Sequence, residues 1–270
     1  MRLQGRTAVV TGAASGIGRG TALALAKRGC NLALADLNEE GLAETAALAE
    51  AHGVEVSRHR LDVADREAVA AFPDRVLAAH GRADLLFNNA GVAIGGTFEQ
   101  VAEEDFDWLM EINFRAVVRM TRAFFPLLRA SDHARIVNIS SIFGIIAPPG
   151  QTAYCASKFA VRAFSESLRR ELEAEGATIG VTVVHPGGVN TSIAKSARLP
   201  RGVNAVDIEE QHKRFEKFLR MPPEKAGEII VSGVERERSR ILVGGDAKTM
   251  AMLERLMPLS YWKLLGRVLR

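Results

Sequence analysis

The stretch Thr7-Ala8-Val9-Val10-Thr11-Gly12-Ala13-Ala14-Ser15-Gly16-Ile17-Gly18 decides how the chain folds. Its first five residues, Thr7–Thr11, are strand-like, and a helical run, Arg19–Arg28, follows the glycines. Glycines let the backbone turn tightly and let a pyrophosphate approach it closely. The helix that follows offers free N–H groups and the positive end of its dipole. A glycine cluster carries this meaning because it lies between a strand and a helix. The spacing here is GxxxGxG rather than GxGxxG, so the turn has its own shape.

Outward from this turn, strand-like runs alternate with helix-length segments. The runs are Thr7–Thr11, Leu32–Asp36, Val54–Arg60, Leu85–Asn88, Arg135–Ser140, Ile179–His185 and Arg240–Val243. Several are apolar almost throughout, as strands buried on both faces are. Phe164, Leu168 and Leu172 repeat at i, i+4, i+8 and mark a buried helical face. A second long helical stretch spans Glu103 to about Arg129, with its end expected near Pro126. Such alternation implies right-handed crossovers and a parallel, doubly wound α/β sheet with helices on both faces. Residues 1–245 read as one domain. Residues 192–221 are too irregular and long for a plain connection and read as a substrate lid. Residues 246–270 form an extension.

Composition excludes several classes. The 270 residues are 47% hydrophobic and 25% charged, which is ordinary for a globular chain. No apolar run is long enough for a membrane span, and no signal region precedes the first strand. Two distant cysteines, Cys30 and Cys155, give neither a disulfide framework nor a CxxC pair, so a reducing cytoplasm is expected. The six histidines show no metal-ligand spacing, and no metal site is expected. The formal charge of +3 is spread among acids, which reads as a solvated mixed surface and not a nucleic-acid footprint.

Chemistry-bearing residues stand at the ends of these runs. Asp36 closes the second strand, where an acid can accept hydrogen bonds from both adenosine ribose hydroxyls and repel a 2′-phosphate. Its alternative use is to cap the helix starting near Asn38. Ser15 and Leu37 supply no cation for a 2′-phosphate, so NAD is favoured over NADP; Arg19 could serve either. Tyr154 and Lys158, four apart on a helix, share a face. An ammonium beside the phenol, together with the positive ring of oxidised nicotinamide, favours the phenolate and lowers the tyrosine pKa. A hydroxyl of Ser140-Ser141 can hold a substrate oxygen. Together these parts make a proton-transfer site beside a hydride acceptor.

In order along the chain stand Thr11-Gly12-x-x-x-Gly16-x-Gly18, Asp62-Val63, Asn88-Asn89-Ala90-Gly91, Asn113, Ser141, Tyr154-x-x-x-Lys158, and Pro186-Gly187 followed by Val189 and Thr191. This ordered set resembles the short-chain dehydrogenase/reductase family, from about Gly5 to Val243. The resemblance implies a seven-stranded Rossmann sheet in order 3-2-1-4-5-6-7 and a homodimer or homotetramer. It implies that Tyr154 is the acid/base and that Ser141, 13 residues before it, is the catalytic serine. Lys158 would bind the nicotinamide ribose and lower the tyrosine pKa, and Asn113 would hold a relay water or stabilise a helix kink. Cofactor contacts would come from Gly12, Ser15, Gly16, Ile17, Gly18, Asp36 and Leu37 on one side of the cleft. Asp62 and Val63 would face the adenine, and Asn89, Ala90 and Gly91 would line the cofactor. Val189 and Thr191 would cover the nicotinamide carboxamide, Pro186 and Gly187 would also contact the cofactor, and Asn88 would be structural.

The segments Ala90–Gly96 and Ile142–Pro149 are apolar, as are Ile193, Leu199, Phe215, Phe218, Leu219 and Met221. An apolar secondary alcohol or ketone is therefore the expected substrate, unless these residues only pack the core or a subunit contact. Two other readings remain: an NADPH-dependent carbonyl reductase, and a non-catalytic NAD(H) sensor. His185 and Cys155 read as packed core residues. In the extension, Leu253, Leu256, Met257, Leu264, Leu265, Val268 and Leu269 interleave with Arg255, Lys263, Arg267 and Arg270. Such a stretch can make peripheral contact with an anionic membrane, although packing on the body or a neighbouring subunit is the commoner use.

Overall fold

Seven strands pair in parallel in the order β3-β2-β1-β4-β5-β6-β7. A computed structural model describes residues 1–191, 193, 197–198 and 219–268. Of the lid expected over 192–221, Leu199, Phe215 and Phe218 lie outside the described residues. So do Leu269 and Arg270, and the side chains of Leu265, Arg267 and Val268. The strands are β1 Thr7–Thr11, β2 Asn31–Asp36, β3 Val56–Arg60, β4 Leu85–Asn88, β5 Ala134–Ile139, β6 Ile179–Pro186 and β7 Arg240–Val243. Between and after them lie helices α1 Gly16–Ala26, α2 Glu39–Glu50, α3 Arg66–His80, α4 Glu103–Met110, α5 Ala116–Ala130, α6 Thr152–Ala174, α7 Pro223–Glu235, α8 Gly245–Leu256 and α9 Tyr261–Val268.

Alternation along each strand divides the core in two. Ala8, Val10, Leu32, Leu34, Leu85 and Phe87 face a layer containing Leu25, Leu42, Ile230 and Val234. Val9, Ala33, Ala35 and Leu86 face Phe72, Met120, Phe124, Leu128 and Leu172 on the other side. Side chains on both faces of the inner strands are thus buried, which is why those strands carry few polar residues, whereas edge strand β3 is polar and largely unburied. On the first side, α1 and α7 touch backbone to backbone. A Cβ on Gly20 would stand 2.3 Å from the Pro223 carbonyl oxygen, and one on Gly227 would stand 2.2 Å from Gly20.

Three expectations need correction. The first helix starts at Gly16, not Arg19. The long helix does not end near Pro126; α5 carries that proline inside it and runs on to Ala130. Met120, Phe124 and Leu128, one per turn, are all buried. Their packing outweighs the missing N–H at one position. The buried stripe of α6 is set by Val161, Ser165 and Leu172, with Phe164 and Leu168 half-buried beside it. Between α4 and α5 lies a π turn, Glu111–Arg115, with Asn113 buried within it. One extra residue per turn bulges the helix and re-aims that side chain.

Two imidazoles are locked inside. His59 meets Ser57 Oγ at 2.7 Å, and His185 Nδ1 meets the Ser141 carbonyl oxygen at 2.9 Å. Burial pushes both from the usual 6.5 down to about 4. The unfolded chain takes up protons on them near pH 6.5 while the folded protein stays neutral to about pH 4, so stability is lost as pH falls through that window. Between pH 7 and 5 each should cost about 2 kcal/mol. Denaturant titration at both values should show this loss, and His59→Asn/His185→Asn should flatten it.

Candidate active site

Because the strands are parallel, their carboxyl ends share one edge of the sheet, and the segments leaving β1, β4, β5 and β6 meet there. The first of these is a closed knot. Thr11 Oγ1 donates to the Phe87 carbonyl (3.2 Å) and accepts from Asn89 N (3.0 Å) and Ala90 N (3.1 Å). The Asn89 amide donates to the carbonyls of Thr11 (2.9 Å) and Gly12 (3.1 Å). Gly12 has φ +65°, and a Cβ on it would stand 2.8 Å from the Asn89 amide nitrogen. A Cβ on Gly18 would lie 2.0 Å from the Gly12 oxygen. No other residue fits at these two points.

The knot leaves the start of α1 open. Ser15 is extended and makes no side-chain cap, and no acid stands in the first turn. Its N–H groups and dipole suit an anion such as a pyrophosphate. Asp36 accepts from Ala14 N (3.0 Å) through one oxygen and Asn38 N (3.0 Å) through the other. Each oxygen keeps a lone pair for a ribose hydroxyl. The α2 cap is Asn38 itself, which accepts from Gly41 N, so the capping alternative for Asp36 falls away. Leu37 beside it is 53% exposed. Arg19 is committed: its guanidinium bonds the Ala14 carbonyl, Thr45 Oγ1 and Glu44. These residues fit a dinucleotide.

The opposite wall follows β3, β4 and β6. Asp62 accepts from Ala64 N, and Arg119, from α5, donates to the Val63 carbonyl at 2.8 Å. Arg119 is a contributor that no local pattern announced. Thr191 stands against the glycine turn, its methyl 3.2 Å from where a Gly16 Cβ would be. Gly187 N donates to the Val243 carbonyl, and Gly188 N donates to Asp246 at 2.6 Å. Asp246 lies in α8, so the extension itself holds the loop between Pro186 and Val189. A Cβ on Gly187 would strike that carboxylate at 2.2 Å. Asn88 is structural, as expected, donating to Asn138 Oδ1 (2.8 Å) and Thr121 Oγ1 (3.2 Å).

The two serines after β5 diverge. Ser140 Oγ donates to the Lys158 carbonyl at 2.8 Å and anchors α6. Ser141 Oγ accepts from Phe143 N at 3.1 Å. Lys158 is buried; its Nζ donates to the Ile139 carbonyl (3.2 Å) and lies 5.6 Å from the centre of the Tyr154 ring. Burial pushes the Tyr154 phenol up to about 12, against the pull of the Ser141 hydroxyl, and pushes Lys158 down to about 8. Loss of solvation sets the direction at Tyr154; the lowering expected from the lysine and an oxidised nicotinamide together concerns the loaded site. The Asn113 amide is nearly saturated. Its oxygen accepts from Val92 N (2.8 Å), and its nitrogen donates to the Val92 carbonyl (2.9 Å) and Ser157 Oγ (3.2 Å).

Apolar residues surround this group. Val92, Trp108 and Tyr154 pack against buried Ile94, Leu109 and Ala153, and Phe143 meets the Tyr154 ring edge-on at 6.2 Å. Ile94, Ile145 and Ile146 are fully packed, so the alternative of core packing holds for these three. Cys155 is also buried, and its thiol is pushed up to about 11. Among the described residues no cluster of three His, Cys, Asp or Glu could hold a metal ion.

Comparison with known proteins accords with this geometry. The model of the short chain dehydrogenase family matches residues 6–202. SadH of Mycobacterium tuberculosis, an oxidoreductase by name, is 44% identical over 263 residues, 97% of this chain and 95% of its own. The 3-oxoacyl-(acyl-carrier-protein) reductase FabG of Thermotoga maritima is 35% identical over 195 residues, 72% and 78% of the two chains. A short chain dehydrogenase/reductase from Burkholderia phymatum, solved in complex with NAD, is similar with a TM-score of 0.87 and 31% identity, covering 95% of both chains.

The buried ammonium sets a test. Lys158→Met removes a cation that the fold holds at a cost. Near pH 7 the variant should melt no lower than the native protein. Native stability rises with pH between about 8 and 10.5, where only the unfolded chain keeps the proton, so any advantage should shrink there. Thermal melts of both proteins across that range check this.

Proposed function

The chain belongs to the short-chain dehydrogenase family and is an oxidoreductase; from that premise we propose that it moves a hydride between NAD(H) and an apolar secondary alcohol or ketone. The observation that carries this reading is the buried Lys158 ammonium, anchored on the Ile139 carbonyl at the end of β5 and 5.6 Å from the centre of the Tyr154 ring. On this reading a proton donor, a group to hold the substrate oxygen and a cation come from the end of β5 and the start of α6. The FabG relative reduces a carbonyl by its name, and the Burkholderia relative was solved with NAD.

In this mechanism Ser141 Oγ holds the substrate oxygen, and the Tyr154 hydroxyl gives that oxygen its proton in reduction or takes it in oxidation. The nicotinamide, when bound, gives or accepts the hydride. Lys158 would reach the nicotinamide ribose and favour the phenolate through its charge. The deep burial that raises the phenol also strengthens that attraction, because the site is poor in water. Asn113, locked to Val92, keeps the loop after Asn89 against α6 and retains one acceptor lone pair for a water. Asp36 would take the adenosine ribose, and Gly12, Ser15, Gly16, Ile17 and Gly18 the pyrophosphate. Arg19 is bound to Glu44 and Leu37 is apolar, and the Asp36 carboxylate would repel a 2′-phosphate, which favours NAD over NADP.

Tyr154→Phe should lower kcat by about 10²–10⁴-fold and leave the NADH dissociation constant within about twofold. Unimpaired turnover in that variant would remove the tyrosine from the chemistry. Absent turnover by the native protein over a broad alcohol and ketone panel, with normal NADH binding, would favour a sensor. A titration in which NADPH binds more tightly than NADH would reverse the role given to Asp36, and turnover limited to charged hydroxy acids would reverse the apolar substrate.

A further inference from the structure

We propose that the outer face of α8 and α9 is a docking surface for an anionic lipid membrane. The two helices are fastened to the body by specific contacts. Ala247 is buried, Asp246 accepts from Gly188 N, and the Tyr261 hydroxyl accepts from Ala147 N at 2.9 Å. On α8 the residues turned inward are Ala247, Met250, Ala251, Leu253 and Glu254; the outward row is Lys248, Met252, Arg255 and Leu256. The turn between the helices adds Met257 and Leu259, and α9 adds Lys263 and Leu264. Met252 is 59%, Leu256 66% and Leu259 96% exposed. An amphipathic helix that packs only on its own body turns its large apolar side chains inward. Here Met250 and Leu253 do so, but Met252, Leu256, Met257, Leu259 and Leu264 are left exposed.

Charge selects the occupant. Three cations, Lys248, Arg255 and Lys263, are exposed among these apolar side chains. Glu254 is half-buried and faces the other way, and Asp246 is taken by the Gly188 amide. Apolar side chains that enter the acyl boundary, with flanking cations reaching back to phosphate, are what an interfacial helix presents. A second copy docked through a twofold axis would set these three cations against themselves. Tyr261 and Trp262, half-buried at the edge of the face, have the amphipathic rings suited to the headgroup level. The bond from Tyr261 to Ala147 places the face beside the loop that follows Ser141, so an apolar substrate dissolved in lipid would lie close to the cleft. The docking itself does not depend on the reaction assigned above.

Sedimentation with phosphatidylcholine vesicles, with or without about one-third phosphatidylglycerol, tests this. The full chain should bind the anionic vesicles roughly a hundredfold more tightly, and added salt should weaken binding. Lys248→Glu/Arg255→Glu/Lys263→Glu should lose that preference. Leu259→Ser, at a position too exposed to disturb folding, should weaken binding to both vesicles. Mass by light scattering and NADH affinity should stay unchanged in every variant. Equal or no binding of the native chain to the two vesicles would overturn the proposal. So would a fall in oligomer mass on Leu259→Ser, which would assign the face to a second copy.

Discussion

The Gly12 carbonyl and the α-carbon of Gly18 approach so closely that no side chain fits between them, and the rest of the cleft is built on that approach. It turns the chain from β1 into α1 within a few residues. Thr11 and Asn89 close it with five hydrogen bonds, drawing the end of β4 against the end of β1. The loop is therefore rigid before any ligand arrives, and its own backbone demands are met internally. What it leaves unsatisfied is the first turn of α1, where free N–H groups suit an anion. Glycine at 12 and 18 thus serves the protein's own closure first, and phosphate binding follows from it.

The catalytic group rests on a different balance. Tyr154 and Lys158 both lose solvent, and for each the neutral form gains. The fold carries a buried ammonium whose hydrogen bond goes to a main-chain oxygen at the end of β5. Ser140 ties the same lysine's carbonyl to that strand end. The π turn adds the third element: by bulging the helix at Asn113 it lets that amide grip Val92 and Ser157 together. Strand end, bulged helix and α6 are thereby held in one register, and the reactive side chains take their positions from main-chain contacts.

The extension links this site to the surface. Asp246 reaches the loop after β6, and Tyr261 reaches the loop after β5. Both are segments that border the Ser141–Tyr154 pair. A carboxylate filling the space that a Cβ on Gly187 would need explains the glycine there without reference to a ligand. Events at the outer face of α8 and α9 are therefore mechanically close to the cleft.

The sequence by itself determined the parallel sheet, its strand order through the family resemblance, the site motifs and the structural place of Asn88. The sheet and the motifs follow from local rules: apolar runs buried on two faces, glycines where a Cβ cannot fit, and a tyrosine and lysine one turn apart; the strand order and the place of Asn88 follow from the resemblance. Only the tertiary structure decided the rest. Pro126 stays inside α5 because the sheet buries Phe124 and Leu128 on either side of it. Arg19 is lost to Glu44, and Arg119 and Asp246 clamp loops far from them in sequence. The pKa of Tyr154 rises because burial depends on everything packed around it, a sum that the spacing of two residues does not contain.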